Sequence, residues 1–168
     1  MTSEIVETTV LEALQMLEEG VARPKILAHL VHAAELASGN DSVSSILVLD
    51  SEGLLRNGAS PGLPYDYLTA IDGLKPNARV GTCAAAAATG SMVITSDFLQ
   101  GDKWAELRHL PLSIGFVSAW STPIKNYDGK VLGTFGTYFR EKRQPSQAEI
   151  DTINALALAA ARVLDYSS

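Results

Sequence analysis

One cysteine and three histidines stand in a chain of 168 residues. The lone cysteine, Cys83, excludes an internal disulfide, a CxxC redox pair and a cysteine-based zinc site. A reducing cytoplasm fits that usage. Basic residues are outnumbered: 13 Lys and Arg against 19 Asp and Glu leave a formal charge of −6. That balance argues against a nucleic-acid surface, which needs a basic patch to meet phosphates. The one dense basic cluster, Arg140, Lys142 and Arg143, is broken by Glu141 and reads as a solvated strand end. No apolar run approaches the roughly 20 residues that span a bilayer. The N-terminus, MTSEIVETTV, is acidic and amphipathic rather than basic and then apolar, so it does not read as a secretory leader. The expectation is a soluble, cytoplasmic protein with no nucleic-acid and no membrane partner.

What is present is enough for one core: 46% of the residues are apolar, and the length suits one domain with extra helices at its ends. Ile5, Val6, Val10, Ala13, Leu14 and Leu17 form a helical stripe that ends at Gly20. A second helix is expected from Pro24 to Ser38, with the proline near its first position. Ser45 to Asp50 and Leu54 to Ala59 read as a hairpin, followed by a short helix from Tyr65 to Ile71. Phe116 to Lys125 and Lys130 to Arg140 form a second hairpin around Asp128-Gly129. Ser146 and Glu149 make a capping box for a last helix running to about Tyr166. That helix is apolar on more than one face, so it needs the sheet and a second partner, either the first helix or its own copy in another subunit. The pattern predicts an antiparallel sheet in an α+β domain.

The stretch from Arg79 to Pro123 is the most informative. Gly81-Thr82 feeds an alanine run, Ala84 to Ala88, and a β-like segment follows at Met92 to Thr95. A polar loop with Asp97 and Asp102 leads to a short helix near Trp104 and then to the Phe116 strand. Small residues let backbones approach, and loops supply the few polar groups that a pocket needs. Free amides at the start of the alanine helix could attract nitrate, phosphate or carboxylate, with Thr82 capping the helix or touching the anion. An ordinary capped helix is the preferred reading. Cys83 could be an activated thiol at that helix start, although a small buried residue is preferred. His29 and His32, three apart on a helix, lack an evident third metal ligand. His109 could meet a haem iron or an anionic ligand, against the plainer role of a polar residue at a helix end. Trp120 has the opposite strand parity to Ala119 and Ser121 and is expected under the covering helices, with Phe116 sharing its parity.

The order of these motifs resembles the GAF domain, the sensory module of many bacterial regulators and of phytochromes. Ile46 to Asp50, Gly73, Val80-Gly81-Thr82-Cys83 and Val93-Ile94-Thr95-Ser96-Asp97 carry the likeness, with Trp104, Gly115 to Ile124 and Asp128 to Thr134. It covers Pro24 to Tyr166. The resemblance implies a central antiparallel sheet of about five or six strands with helices packed on one face. It also implies a ligand pocket in front of the sheet and frequent dimerisation through the terminal helices. Relatives bind cyclic nucleotides, tetrapyrroles, haem, amino acids or small anions, so the cofactor stays open. Carried over by position, it implies a pocket at Asp97 and Phe98, then Trp104, Leu107 and His109, and then Ala119 and Ser121 on the Phe116 strand. A bilin would need a cysteine in the roofing helix, and the matching histidine position falls near Leu107, so a covalent chromophore is not expected. The family also includes a free methionine sulfoxide reductase, whose chemistry relies on several cysteines where this chain has one.

The expectation is therefore a sensory domain, not an enzyme, binding a small molecule, with nitrate as one candidate, through Thr82, Cys83, Asp97, Phe98, Trp104, Leu107, His109, Ala119 and Ser121. Residues 1–22 are expected as an N-terminal dimerisation or signalling helix and residues 23–168 as the sensor. Homodimerisation through the terminal helices and a histidine kinase or other regulator are the expected partners. A thiol reductase using Cys83 and a ligand-free dimerisation module are the alternatives.

Overall fold

The computed structural model describes residues 2–39, 42–78, 81–99 and 114–166. Ten elements follow in order: α1 (Thr2–Glu18), α2 (Arg23–Ser38), β1 (Val43–Leu49), β2 (Leu55–Ala59), α3 (Tyr65–Ile71), α4 (Cys83–Thr89), β3 (Val93–Thr95), β4 (Ser118–Lys125), β5 (Val131–Phe139) and α5 (Gln147–Tyr166). The five strands form one antiparallel sheet in the order β2-β1-β5-β4-β3. The expected strand near Phe116 starts two residues later, at Ser118. The helix expected near Trp104 lies outside the described residues.

Local chemistry explains the boundaries. Pro24 sits in the first turn of α2, where its missing N–H costs nothing. The turn after β4 is closed by Asn126, whose Oδ1 accepts from the Asp128 and Lys130 amides, both at 3.0 Å. Gly129 takes the left-handed φ of +82° that this turn requires. The capping box forms as expected: the Glu149 amide donates to Ser146 Oγ at 3.2 Å, and the Ser146 amide donates to Glu149 Oε1 at 3.0 Å.

The three long helices cover one face, here the back. Ile26, Leu27, Leu30, Ile153, Leu156 and Val163 pack there against Ile46, Phe135 and Ile124 of the sheet. Helix α1 joins the same layer through Val6 and Ala13, against both α2 and α5. Its buried stripe is narrower than the sequence suggests, since Ile5 is half exposed. Trp120 is buried on the back, as its parity requires, its ring tilted 40° to that of Phe139 with centroids 4.1 Å apart. The short helices α3 and α4 lie over the front, where a second cluster gathers Leu47, Leu55, Tyr67, Cys83, Ala84, Phe98, Phe116, Ala119 and Tyr138.

Candidate functional site

The register decides which side chains share the front. Ala119 pairs with Tyr138, Ser121 with Gly136 and Pro123 with Thr134, while Thr95 and Val93 flank Ala119 and Ser121 from β3. Two-residue alternation then sends Ala119, Ser121, Thr134, Gly136 and Tyr138 to one side. Alanines let α4 sit close over these positions. A Cβ on Gly136 would lie 3.0 Å from Cys83 Sγ, so glycine leaves the room that the thiol occupies.

Around that thiol the sheet presents neutral polar groups. Ser121, Thr134 and Tyr138 all face Cys83, and the Tyr67 hydroxyl donates to the Tyr138 oxygen at 2.9 Å. The Tyr67 and Tyr138 rings meet edge-on with centroids 5.9 Å apart, and Phe116 lies 5.4 Å from Tyr138. Among the described residues, the buried Ser121 and Thr134 hydroxyls make no hydrogen bond of ordinary geometry. Burial pushes the Cys83 thiol up, and its three hydroxyl neighbours offset only part of that. Burial likewise pushes up both phenols. The activated thiolate considered for the helix start is thus disfavoured: desolvation outweighs a seven-residue helix with a buried first turn.

Thr82 does not cap α4. Its side chain makes no cap bond, and its hydroxyl lies 3.1 Å from Thr95 Oγ1, which ties α4 to β3. Asp97 follows β3 and is 9% exposed. The Leu99 amide, donating to its Oδ1 at 2.9 Å, holds the carboxyl below the usual range, and Lys142, 3.3 Å from Oδ2, adds to this. Phe98 is fully buried in the front cluster. Phe116 is placed there too, beside Tyr138 and beneath Arg140 at 4.7 Å. That corrects the expected parity with Trp120: strand alternation starts only at Ser118, so it does not reach Phe116.

The structure thus gathers Cys83, Phe98, Ala119 and Ser121 on the front, with Thr82 bonded to Thr95 and Asp97 held by Leu99 and Lys142. Trp104, Leu107 and His109 lie outside the described residues. Of the other histidines, His29 is half-buried with Nε2 3.5 Å from Glu12 Oε1, and His32 is exposed. No cluster of three metal-ligating side chains occurs among the described residues. Sequence reasoning missed Tyr67, Tyr138 and Phe116. Their only signal is aromatic character, because the pairing that unites them spans 71 residues for the two tyrosines. Away from this face, a cleft of about 360 Å³ between α5 and β4 is lined by Met92, Thr122, Pro123, Asn154 and Leu158. No helix among the described residues is long and apolar enough to cross a membrane.

Comparison with known proteins agrees with this architecture. The chain is 31% identical over 155 residues to a methyl sulfide methyltransferase-associated sensor of Methanosarcina acetivorans. The match covers 91% of this chain and 15% of that much longer protein. The GAF domain of a phosphoenolpyruvate-protein phosphotransferase from Coxiella burnetii superposes with a TM-score of 0.76 at 16% identity, covering 99% of this chain and 96% of that one. The free methionine-R-sulfoxide reductase of Neisseria meningitidis, solved with its substrate, also gives 0.76 at 16% identity, over 99% and 90% of the two chains. At such identities these structures speak for the fold alone. The GAF domain family model matches residues 23–165, and the chain belongs to the GAF domain family.

Proposed function

We propose that this GAF domain senses a small molecule at its front face and acts by binding, not by catalysis. The observation that carries the reading is the Tyr67–Tyr138 hydroxyl pair, buried beside Cys83 and the Ser121 and Thr134 hydroxyls on a face whose remaining side chains are largely apolar. Phenylalanine would pack there as well and would avoid desolvating a hydroxyl. Polar groups kept at that cost suit recognition. Rings from Tyr67, Phe98, Phe116 and Tyr138 favour a ligand with a flat apolar body and one uncharged polar end. The small-anion alternative, nitrate, rests on the α4 start, whose first turn is buried and carries no cation. The buried single thiol weighs against a reductase.

The relative named a sensor supports a signalling role, and its far greater length leaves room for an output module of histidine-kinase or other regulatory type. Exposed Ile5 and Leu11 on α1 and Leu158 on α5 supply apolar surface for a homodimer. The test is native mass spectrometry with an absorbance spectrum. It is followed by a thermal-shift screen of uncharged heterocycles, cyclic nucleotides, amino acids and nitrate. A ligand at 100 times its Kd should stabilise the wild type by about 2.7 kcal/mol, and Tyr67→Phe/Tyr138→Phe should abolish most of that shift. A dimer with no bound mass and no response across the panel would favour the ligand-free dimerisation module instead.

A further inference from the structure

Four consecutive residues between β5 and α5 each reach a different part of the fold. Arg140 Nη1 donates to the Ile114 carbonyl at 2.9 Å, and its guanidinium lies 4.7 Å over the Phe116 ring. The Glu141 carbonyl accepts from Ser118 Oγ at 2.6 Å. Lys142 Nζ is 3.3 Å from Asp97 Oδ2. Arg143 donates to both Glu149 carboxylate oxygens, at 2.6 and 2.7 Å, and lies 4.5 Å over Phe139 and 5.3 Å over Trp120.

The first three contacts hold residues 97–99 and 114–118, the described segments on either side of 100–113 and next to the front cluster. The fourth holds the first turn of α5, because the Glu149 carboxylate that takes Arg143 also accepts the Ser146 amide. This charge-assisted pair, in which Nη2 alone meets both carboxylate oxygens, is partly buried and so is held more firmly than an exposed pair would be. Only Glu141 and Lys142 stand between Arg140 and Arg143, and each makes a contact of its own. We propose that residues 140–143 couple the front face to α5, with Arg143 and Glu149 as the junction that passes a displacement of residues 97–99 or 114–118 to the start of that helix. This rests on the sensor reading for its biological use, but its test needs no ligand. A blank ligand screen and an absent coupling are therefore separate results.

The experiment is amide hydrogen exchange on the intact chain, each rate being referred to the β1–β5 ladder of the same variant. Arg140→Met keeps the stem and removes the Ile114 contact. Glu149→Gln keeps the capping geometry and removes the charge pair. Arg140→Met should speed exchange at the Glu149 and Ile150 amides roughly five-fold, and Glu149→Gln should do the same at Phe98, Leu99 and Val117. Should Arg140→Met not fold, Lys142→Met breaks the Asp97 contact in its place. Effects that stop at each variant's own segment would overturn the proposal. So would an effect in one direction only, because equilibrium coupling is reciprocal.

Discussion

The two faces of the sheet differ in the length of the helices that cover them and in how much polarity they bury. On the back, three long helices bury leucine, isoleucine and alanine against Ile46, Ile124 and Phe135. The Ser44 and Thr137 hydroxyls there satisfy one another at 3.0 Å, while the buried Thr122 hydroxyl makes no hydrogen bond among the described residues. On the front, two short helices cover a thiol, two phenols and several hydroxyls, two of which make no ordinary hydrogen bond among the described residues. Apolar burial adds stability in proportion to area, whereas desolvated hydroxyls return little net free energy even when paired. The back is the face that holds the domain together, and the front is the face with chemistry to spare.

The sharpest way to break that contrast is to empty one position on the back. Leu156→Ala, at a fully buried site between α5 and the sheet, should cost about 2–5 kcal/mol in urea unfolding. A smaller loss would mean that the helical layer collapses readily around a void. The front should answer differently. Tyr138→Phe leaves the buried Tyr67 hydroxyl without its acceptor and should cost about 1–2 kcal/mol. Tyr67→Phe/Tyr138→Phe removes both polar groups and should be nearly neutral. If the double variant is instead the least stable of the three, the hydroxyls are structural and the contrast fails.

The smallest effect concerns Asp97. Its carboxyl is depressed in the folded state by the Leu99 amide and Lys142, so its contribution is full above the unfolded value of about 3.9. That contribution is lost as pH falls through the lower folded value. Wild type should exceed Asp97→Asn in melting temperature near neutral pH, and the gap should close in acid. A gap that is constant with pH would point to hydrogen bonding without a charge contribution.

Features encoded within a few residues were legible in advance. The capping box at Ser146, the Asp128-Gly129 turn and the span Tyr65–Ile71 need only neighbours in sequence. Strand alternation placed Trp120 on the back without knowledge of its partners. The same rule failed at Phe116, because alternation says nothing about a residue before the strand begins. Arg143 was hidden for another reason. Three basic residues at a strand end look solvated, and Arg140 and Lys142 are indeed exposed, but Arg143 turns inward to Glu149 and Phe139. Of the candidate site, Asp97, Phe98, Ala119 and Ser121 could be carried by position, while Tyr67 and Tyr138 could not.

By itself the sequence determined the order of most elements, because periodicity, turn chemistry and capping act over short spans of chain, and the resemblance carried by its motifs pointed to the family. Tertiary structure alone decided three things: that Thr82 bonds Thr95 and does not cap α4, that Ser121, Thr134 and Tyr138 gather around the Cys83 thiol, and that residues 140–143 touch both the front and α5. Each depends on groups far apart in sequence meeting where water is excluded, and only the packed fold sets that distance and that desolvation.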